Sequence, residues 1–489
     1  MGRKRAGGGG RGGAAPQRAP PPPGEPPPGL LSSPSTASLA PSTSSSTPLA
    51  ASGLLTWLAG AAALGAALAG ATTAPQWRWT APSRAAAPTA TPPWSRPPRG
   101  EGAAEDAPLV VVVNENGGPR FEGEEGEAVV RVSRSSRLSA TLGFGSRAGK
   151  YRAWNEDGRL IRSFAELEQS PRDALGRVHV WRTLNFANRH FIWPATPRVR
   201  RFTDLDQPVE MTLVSESPRV FFVSNLVGDA EIESLLRRAS DPSNPYSFRP
   251  STTGAEAWSP NQVNHRERDR TSENAFDVDS PTAKSIFRRG FALLRLPPHR
   301  LDMFDGLQIV RYFPEQAYKT HLDAYVMSTP VAHSYDFNAS KPTGGNRFAT
   351  LFLYLTDVEM GGQTLFPLVP TSAADPETRA LNASLFGDAD AYPAEAVERA
   401  FQTPPGSWER QLIKLCYSAL SINPRRGSAV LFYSLLGNNS IDELANHAAC
   451  PVVEGSKIGA NFWAWSSCRY GLPKCQVEQG AADPLEWTT

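Results

Sequence analysis

Residues 316–325 read Gln-Ala-Tyr-Lys-Thr-His-Leu-Asp-Ala-Tyr and set His321 and Asp323 two places apart. On a β-strand, side chains at i and i+2 share a face, so an imidazole and a carboxylate at this spacing can grip one metal ion together. Alone, such a triplet is more often a surface histidine beside an acid. Downstream residues change the balance. His447 stands 126 residues after His321, in Asn-His-Ala-Ala-Cys-Pro-Val-Val, a stretch that reads as another core strand. Two imidazoles and one carboxylate suit Fe(II) and leave positions for a co-substrate and dioxygen. Lys457 then opens Lys-Ile-Gly-Ala-Asn-Phe-Trp-Ala-Trp, an apolar strand-like run. Its ammonium would be costly to bury unpaired, and an anion near the metal would resolve that conflict.

With these residues in hand, residues 217–469 resemble the prolyl 4-hydroxylase family of Fe(II)/2-oxoglutarate dioxygenases. The family blocks occur in order. Arg270-Thr271-Ser272 is similar to its Arg-Thr-Ser, and residues 307–323 (Leu-Gln-Ile-Val-Arg-Tyr-Phe-Pro-Glu-Gln-Ala-Tyr-Lys-Thr-His-Leu-Asp) to its metal-strand block. Residues 347–350 (Arg-Phe-Ala-Thr) and 353–367 (Leu-Tyr-Leu-Thr-Asp-Val-Glu-Met-Gly-Gly-Gln-Thr-Leu-Phe-Pro) follow, and His-x-x-Cys-Pro-Val closes the set.

The resemblance implies His321, Asp323 and His447 as ligands of Fe(II), with O2 and 2-oxoglutarate as co-substrates and ascorbate in support. The implied reaction oxidises 2-oxoglutarate to succinate and CO2 and hydroxylates peptidyl proline at C4. Lys457 carries over as the partner of the distal carboxylate of 2-oxoglutarate, and Tyr312 and Thr350 as hydroxyl contacts to it. Tyr318, Trp463 and Arg270 carry over toward the peptide, although core packing also accounts for Tyr318 and Trp463. Two departures stand beside the site: Asn446, where relatives often have an apolar residue, and Ile458, where Trp is common. A same-fold hydroxylase acting on another residue such as lysine is the runner-up, and a non-catalytic glycosylated binding module the alternative from another class.

The chain has 489 residues, enough for two or three domains, and a net charge of only +2. Its arginines lie in mixed-sign surroundings, so no nucleic-acid partner is expected. Residues 1–52 are rich in Gly, Pro, Ala and Ser and hold too little bulky apolar material for a core, which predicts a disordered tail. Residues 53–71 then run without a charge. As a helix they would be about 28 Å long, close to the thickness of a bilayer core. Arg3, Lys4, Arg5, Arg11 and Arg18 precede them and favour a cytoplasmic N-terminus. This predicts a single-pass type II signal anchor in the endoplasmic reticulum or Golgi membrane, with the rest lumenal; a cleaved signal or a transit sequence are the alternatives.

Two further features fit a lumen. Asn338, Asn382 and Asn438 head glycosylation triplets in stretches that read as loops. The four cysteines, all after residue 415, suit two disulfides. Cys468 and Cys475 bracket a Gly-Leu-Pro turn and could close a local loop, which would leave Cys416 for Cys450; buried free thiols are the alternative.

Residues 72–107 read as a Pro/Ala-rich linker and 108–207 as a small β-rich domain without a motif, with strands at 109–113, 128–133, 138–144, 178–181 and 189–193. In the catalytic domain, 211–469, Asp229 is expected to cap a helix that buries Ile232, Leu235, Leu236 and Ala239. A second helix is expected over 281–294, followed by a run of strands. That order predicts an α+β class, and the resemblance implies a double-stranded β-helix (jelly-roll) with flanking helices. One short helix is expected around 393–401, inside a long loop. Residues 470–489 are left as a C-terminal tail.

Overall fold

The computed structural model describes residues 108–118, 129–143, 152–183, 190–251, 270–296, 303–326, 337–339, 344–386 and 392–467. The chain divides into two compact units, 1–89 and 90–489, and every described residue belongs to the second. The expected tail, span and linker all lie outside the described residues, as do Cys468, Cys475 and residues 470–489. Among the described residues no helix is long and apolar enough to cross a membrane.

The first sheet is small. Strands β1 (Leu109–Glu115), β2 (Val129–Val132), β3 (Ala153–Trp154) and β4 (Val178–Arg182) pair in the order β2-β1-β4-β3. They close on a core of Val111, Val113, Val132, Leu142, Ile161, Leu167, Val178 and Val180. Two sequence expectations fail here. Residues 138–141 form a helix, α1 (Leu138–Thr141), because Leu138 and Leu142 recur at helical spacing. A second helix, α2 (Phe164–Glu168), is capped by Ser163. Residues 190–193 form no ladder, since side chains take their backbone groups: the Ile192 N–H donates to Asn116 Oδ1 (3.0 Å) and the Trp193 N–H to the Tyr433 hydroxyl (3.2 Å).

The catalytic sheets begin before the expected boundary. Strands β5 (Val199–Phe202), β6 (Val209–Ser215) and β7 (Val220–Ser224) lead into helix α3 (Asp229–Ser240). Gly228 rather than Asp229 occupies the cap, and the Glu231 carboxylate accepts its N–H at 3.0 Å. Then come β8 (Arg249–Pro250), β9 (Glu273–Asp277), helix α4 (Pro281–Leu293), β10 (Phe304–Tyr312), β11 (Tyr318–His321), β12 (Arg347–Tyr354), β13 (Met360–Gly361) and β14 (Thr364–Pro370). The long segment after β14 holds three helices where one was expected: α5 (Pro376–Phe386), α6 (Ala394–Ala400) and α7 (Trp408–Leu415). Strands β15 (Ala419–Ile422), β16 (Ala429–Tyr433), β17 (His447–Ala449), β18 (Val452–Glu454) and β19 (Lys457–Trp465) are the last elements among the described residues.

A nine-stranded sheet, β5-β6-β7-β16-β12-β19-β10-β9-β8, faces a four-stranded one, β11-β17-β14-β15, as expected for a jelly-roll. Period-2 alternation sorts the large sheet's side chains. Ala349, Leu351 and Leu353 of β12, Ile309 of β10 and Ala460 and Phe462 of β19 point to one face, where α3 and α4 cover them. Gly290 lets α4 approach, because a Cβ there would stand 2.8 Å from the Phe462 ring. Phe352 and Tyr354 of β12, Val310 and Tyr312 of β10 and Phe432 of β16 point to the other face and meet Phe366, Leu420 and Ile422 of the small sheet. On that sheet's outer side, Leu365 and Ala448 pack under Val397, Leu412 and Ile413 of α6 and α7. A disulfide from Cys416, at the end of α7, to Cys450, just past β17, fastens this layer.

Candidate active site

The same alternation sends Tyr312, Thr350, Lys457 and Trp463 toward the interior between the sheets. Tyr312 lies opposite Lys457 in the β10–β19 ladder and Thr350 opposite Trp463 in the β12–β19 ladder, and opposed residues share a face. The small sheet supplies the rest: His321 pairs with His447 across β11 and β17. The strand ends at His321, so Asp323 is not on it. The carboxylate reaches the site from the turn that follows.

Potential donor atoms of His321, Asp323 and His447 all lie within 4.8 Å of one another. His321 Nε2 is 3.8 Å from Asp323 Oδ1, and His447 Nε2 is 3.7 Å from Asp323 Oδ2. Each imidazole donates its Nδ1–H to a carbonyl, His321 to Lys319 (2.8 Å) and His447 to Ala445 (3.0 Å). A carbonyl can only accept, so both Nε2 atoms keep their lone pairs and turn them inward. Burial, with His447 alongside, pushes His321 below the usual imidazole range, which leaves it neutral as a ligand must be. Burial acts to raise Asp323, yet the two imidazoles, Arg347 and the Thr350 hydroxyl (2.6 Å) hold it below the usual carboxylate range. The Thr350 hydroxyl orients the carboxylate ligand.

Lys457 is 1% exposed, and its Nζ has no hydrogen-bond partner among the described residues. It rests 5.0 Å from the Phe352 ring and 5.8 Å from the rings of Tyr312 and Tyr354. No acid among the described residues balances it, and burial pulls it down to about 7. Tyr354 and Thr364 share a hydroxyl hydrogen bond of 2.7 Å in the same interior. A buried ammonium ringed by aromatic faces and hydroxyls fits a carboxylate guest.

On the other side of the imidazoles, Tyr318 stacks on His321 with centroids 3.8 Å apart, and the Arg270 guanidinium lies 4.9 Å over the Tyr318 ring. Arg270 is itself buried and donates to the Ser272 hydroxyl. Trp463 packs under the Arg347 guanidinium at 3.6 Å, and its indole N–H is buried without a partner among the described residues. Of the glycosylation asparagines, Asn438 sits in an exposed turn and Asn338 is half-buried. Asn382 is on α5 rather than a loop, and its amide donates to the Val214 carbonyl at 3.1 Å.

Sequence reasoning missed two positioning residues. Arg347 pairs with Asp305 (2.9 Å) while stacking on Trp463, and the signal was its place at the head of Arg-Phe-Ala-Thr. Asn346 had no such signal. It is 2% exposed; its Oδ1 accepts from the N–H groups of Tyr325 and Arg347 (both 2.9 Å), and its amide donates to the carbonyls of Tyr325 (3.0 Å) and Phe337 (3.1 Å). The Ser466 N–H donates to its carbonyl (2.8 Å), while the Ser466 carbonyl accepts from His190 Nε2 (2.6 Å), so the segment preceding the catalytic sheets braces the turn after Asp323. Asn346→Ala should cost about 3 kcal/mol, because it strands several buried backbone groups, and should lower turnover as well. Urea denaturation against wild type checks this.

Residues 307–465 match the sequence profile of the 2OG-Fe(II) oxygenase superfamily. Among curated relatives, "Probable prolyl 4-hydroxylase 3" of Arabidopsis thaliana is 27% identical over 253 residues, 51% of this chain and 70% of that one. Prolyl 4-hydroxylase 13 of the same plant is 26% identical over 250 residues, 51% of this chain and 72% of its own. Among solved structures, viral collagen prolyl hydroxylase from Paramecium Bursaria Chlorella virus-1, in its 2OG complex, covers 50% of this chain and 95% of its own at 18% identity, with a TM-score of 0.30. The donor set and the uncompensated lysine fit ferrous iron and a dicarboxylate co-substrate. The chain therefore carries a 2OG-Fe(II) oxygenase domain over residues 307–465 and is a dioxygenase that uses ferrous iron and 2-oxoglutarate.

Proposed function

We propose that this dioxygenase hydroxylates peptidyl proline at C4 in proteins of the secretory pathway. The convergence of His321, Asp323 and His447 opposite the uncompensated Lys457 carries the reading, and the relatives named prolyl 4-hydroxylases support proline as the target. His321, Asp323 and His447 would hold the iron, which with 2-oxoglutarate and O2 supplies the oxidising power for an unactivated C–H bond. The chain's own part is placement. Thr350 and Arg347 orient Asp323, Lys457 anchors the distal carboxylate, Tyr318 and Trp463 wall the site against water, and Arg270 offers guanidinium donors to peptide carbonyls. The test is incubation of the full chain with Fe(II), 2-oxoglutarate, ascorbate and proline-rich peptides. A gain of about 16 Da on proline with stoichiometric succinate is expected, since one oxygen atom enters the peptide and one the co-substrate; modification on lysine alone would refute the reading.

Lys457 also gives the co-substrate affinity a pH dependence. Its pKa is about 7 before a co-substrate binds, and a bound carboxylate favours the charged form. Below pH 7 the ammonium is already present and affinity is level. Above it, binding must first take up a proton, so affinity should fall by about tenfold per pH unit. Anaerobic titration of 2-oxoglutarate from pH 6 to 9 measures it.

For localisation, residues 53–71 as a type II anchor, the glycosylation triplet at the exposed Asn438 and the Cys416–Cys450 bridge together favour a membrane-bound enzyme facing the lumen of the endoplasmic reticulum or Golgi. Protease protection of the C-terminal part in sealed microsomes is the expected result.

A further inference from the structure

The two strands that meet beside the iron ligands are irregular where they do so. β12 and β19 pair Arg347 with Trp465, but the register shifts before the next pair, Ala349 with Ala464. A shifted ladder leaves backbone groups to be satisfied by other partners. Ser466, just past β19, provides them for Asn346, just before β12: the Ser466 N–H donates to the Asn346 carbonyl (2.8 Å), and the Asn346 N–H donates to Ser466 Oγ (3.1 Å). The Asn346 side chain in turn holds both backbone groups of Tyr325, two residues past Asp323. Ser466 therefore steadies the turn that presents the carboxylate ligand.

What steadies Ser466 lies outside residues 307–465, the stretch that matches the oxygenase profile. Its carbonyl accepts from His190 Nε2 at 2.6 Å, and because a carbonyl can only accept, that nitrogen carries the hydrogen. His190 is buried against the Phe348 ring of β12, with centroids 5.2 Å apart. Its own backbone is clamped. Asn116, in the turn after β1, donates to the His190 carbonyl (2.7 Å) and accepts the Ile192 N–H, while the Trp193 indole donates to the Leu293 carbonyl of α4 (2.9 Å). A donor held in this way has little freedom left to lose when it makes its bond. We propose that His190 is a positioning residue for the iron site: through Ser466 and Asn346 it holds the turn that carries Asp323. The β-rich segment before the catalytic sheets is thereby a working part of the enzyme. The inference rests on Asp323 as an iron ligand and is independent of which residue is hydroxylated.

Two variants of the full chain separate the hydrogen bond from packing. His190→Leu keeps apolar bulk and removes the donor, whereas His190→Gln keeps an N–H donor at about the reach of Nε2. Loss of an outer partner of a metal ligand costs about 10- to 100-fold in metal affinity, and His190 stands further out, so His190→Leu should weaken anaerobic Fe(II) binding about tenfold. Hydrogen exchange over residues 323–326 of the metal-free variant should quicken by a similar factor, and His190→Gln should stay within about threefold of wild type in both measurements. Wild type supplies a reciprocal test that stands whether or not His190→Leu folds. Linkage requires iron to tighten the bond by as much as the bond tightens iron, so exchange over residues 190–193 and 464–467, read by mass spectrometry, should slow when Fe(II) is added. A folded His190→Leu variant with wild-type iron affinity, a His190→Gln variant as impaired as His190→Leu, or exchange over residues 190–193 that Fe(II) leaves unchanged would each overturn the proposal. Failure of wild type to bind Fe(II) at all would strike the iron site itself, and the proposal with it.

Discussion

Replacing His321 with alanine is expected to abolish 2-oxoglutarate turnover and to leave a protein that no longer holds ferrous iron. His321 supplies one of the three protein donors that converge among the described residues, and its Nδ1–H is already committed to the Lys319 carbonyl, which leaves its Nε2 for the metal. Loss of an outer partner of a metal ligand costs about 10- to 100-fold in metal affinity, and loss of the ligand itself should exceed that range. The fold should survive. His321 ends a short strand and is partly exposed, while the main core lies on the other face of the large sheet. Equilibrium binding of Fe(II) under anaerobic conditions, beside circular dichroism, separates the two outcomes. Retention of iron by the folded variant would remove His321 from the metal site.

Replacing Lys457 with methionine should separate stability from function. The ammonium is buried with no acid nearby among the described residues, and its pKa of about 7, down from 10.5, is the mark of that cost. Methionine fills a similar volume without the charge, so the unliganded protein should gain about 3 kcal/mol near pH 6. The sign follows from proton counting. Between pH 7 and 10.5 the unfolded chain holds the proton and the folded one does not, so wild-type stability rises with pH across that window. The variant lacks this slope, and its advantage should shrink toward pH 10. At the same time 2-oxoglutarate affinity should fall by about 100-fold with the loss of a charge-assisted contact. Denaturation at pH 6 and 9 and calorimetric titration of 2-oxoglutarate measure both effects. A variant that is less stable at pH 6, or that binds 2-oxoglutarate as wild type does, would contradict this account of the lysine.

The chemistry of this chain was easier to read than its joints. His321, Asp323, His447 and Lys457 were legible because ligand types and an ill-placed cation stand out against apolar strands, and alternation then predicts which side chains meet. Strand ends were less legible. Asp323 looks from its spacing like a strand residue, yet hydrogen bonds from Asn346 to Tyr325 and Phe337 shape a turn there, and such distant partners leave no local pattern. Residues 138–141 and 190–193 failed for the same kind of reason. In the first, a Leu-Leu spacing fits a helical turn as well as a strand; in the second, the Asn116 and Tyr433 side chains stand where a neighbouring strand would. Asn346 itself was invisible, since a buried asparagine looks like any loop asparagine until its partners are known.

The pairing of His321 with His447 has one further consequence. Because side chains alternate along a strand, a shift of β17 by a single residue would turn His447 to the outside and bring Ala448 in its place. The Cys450 bridge, three residues along, pins that strand against such a shift. One added residue between His447 and Cys450 would accordingly cost the enzyme its iron.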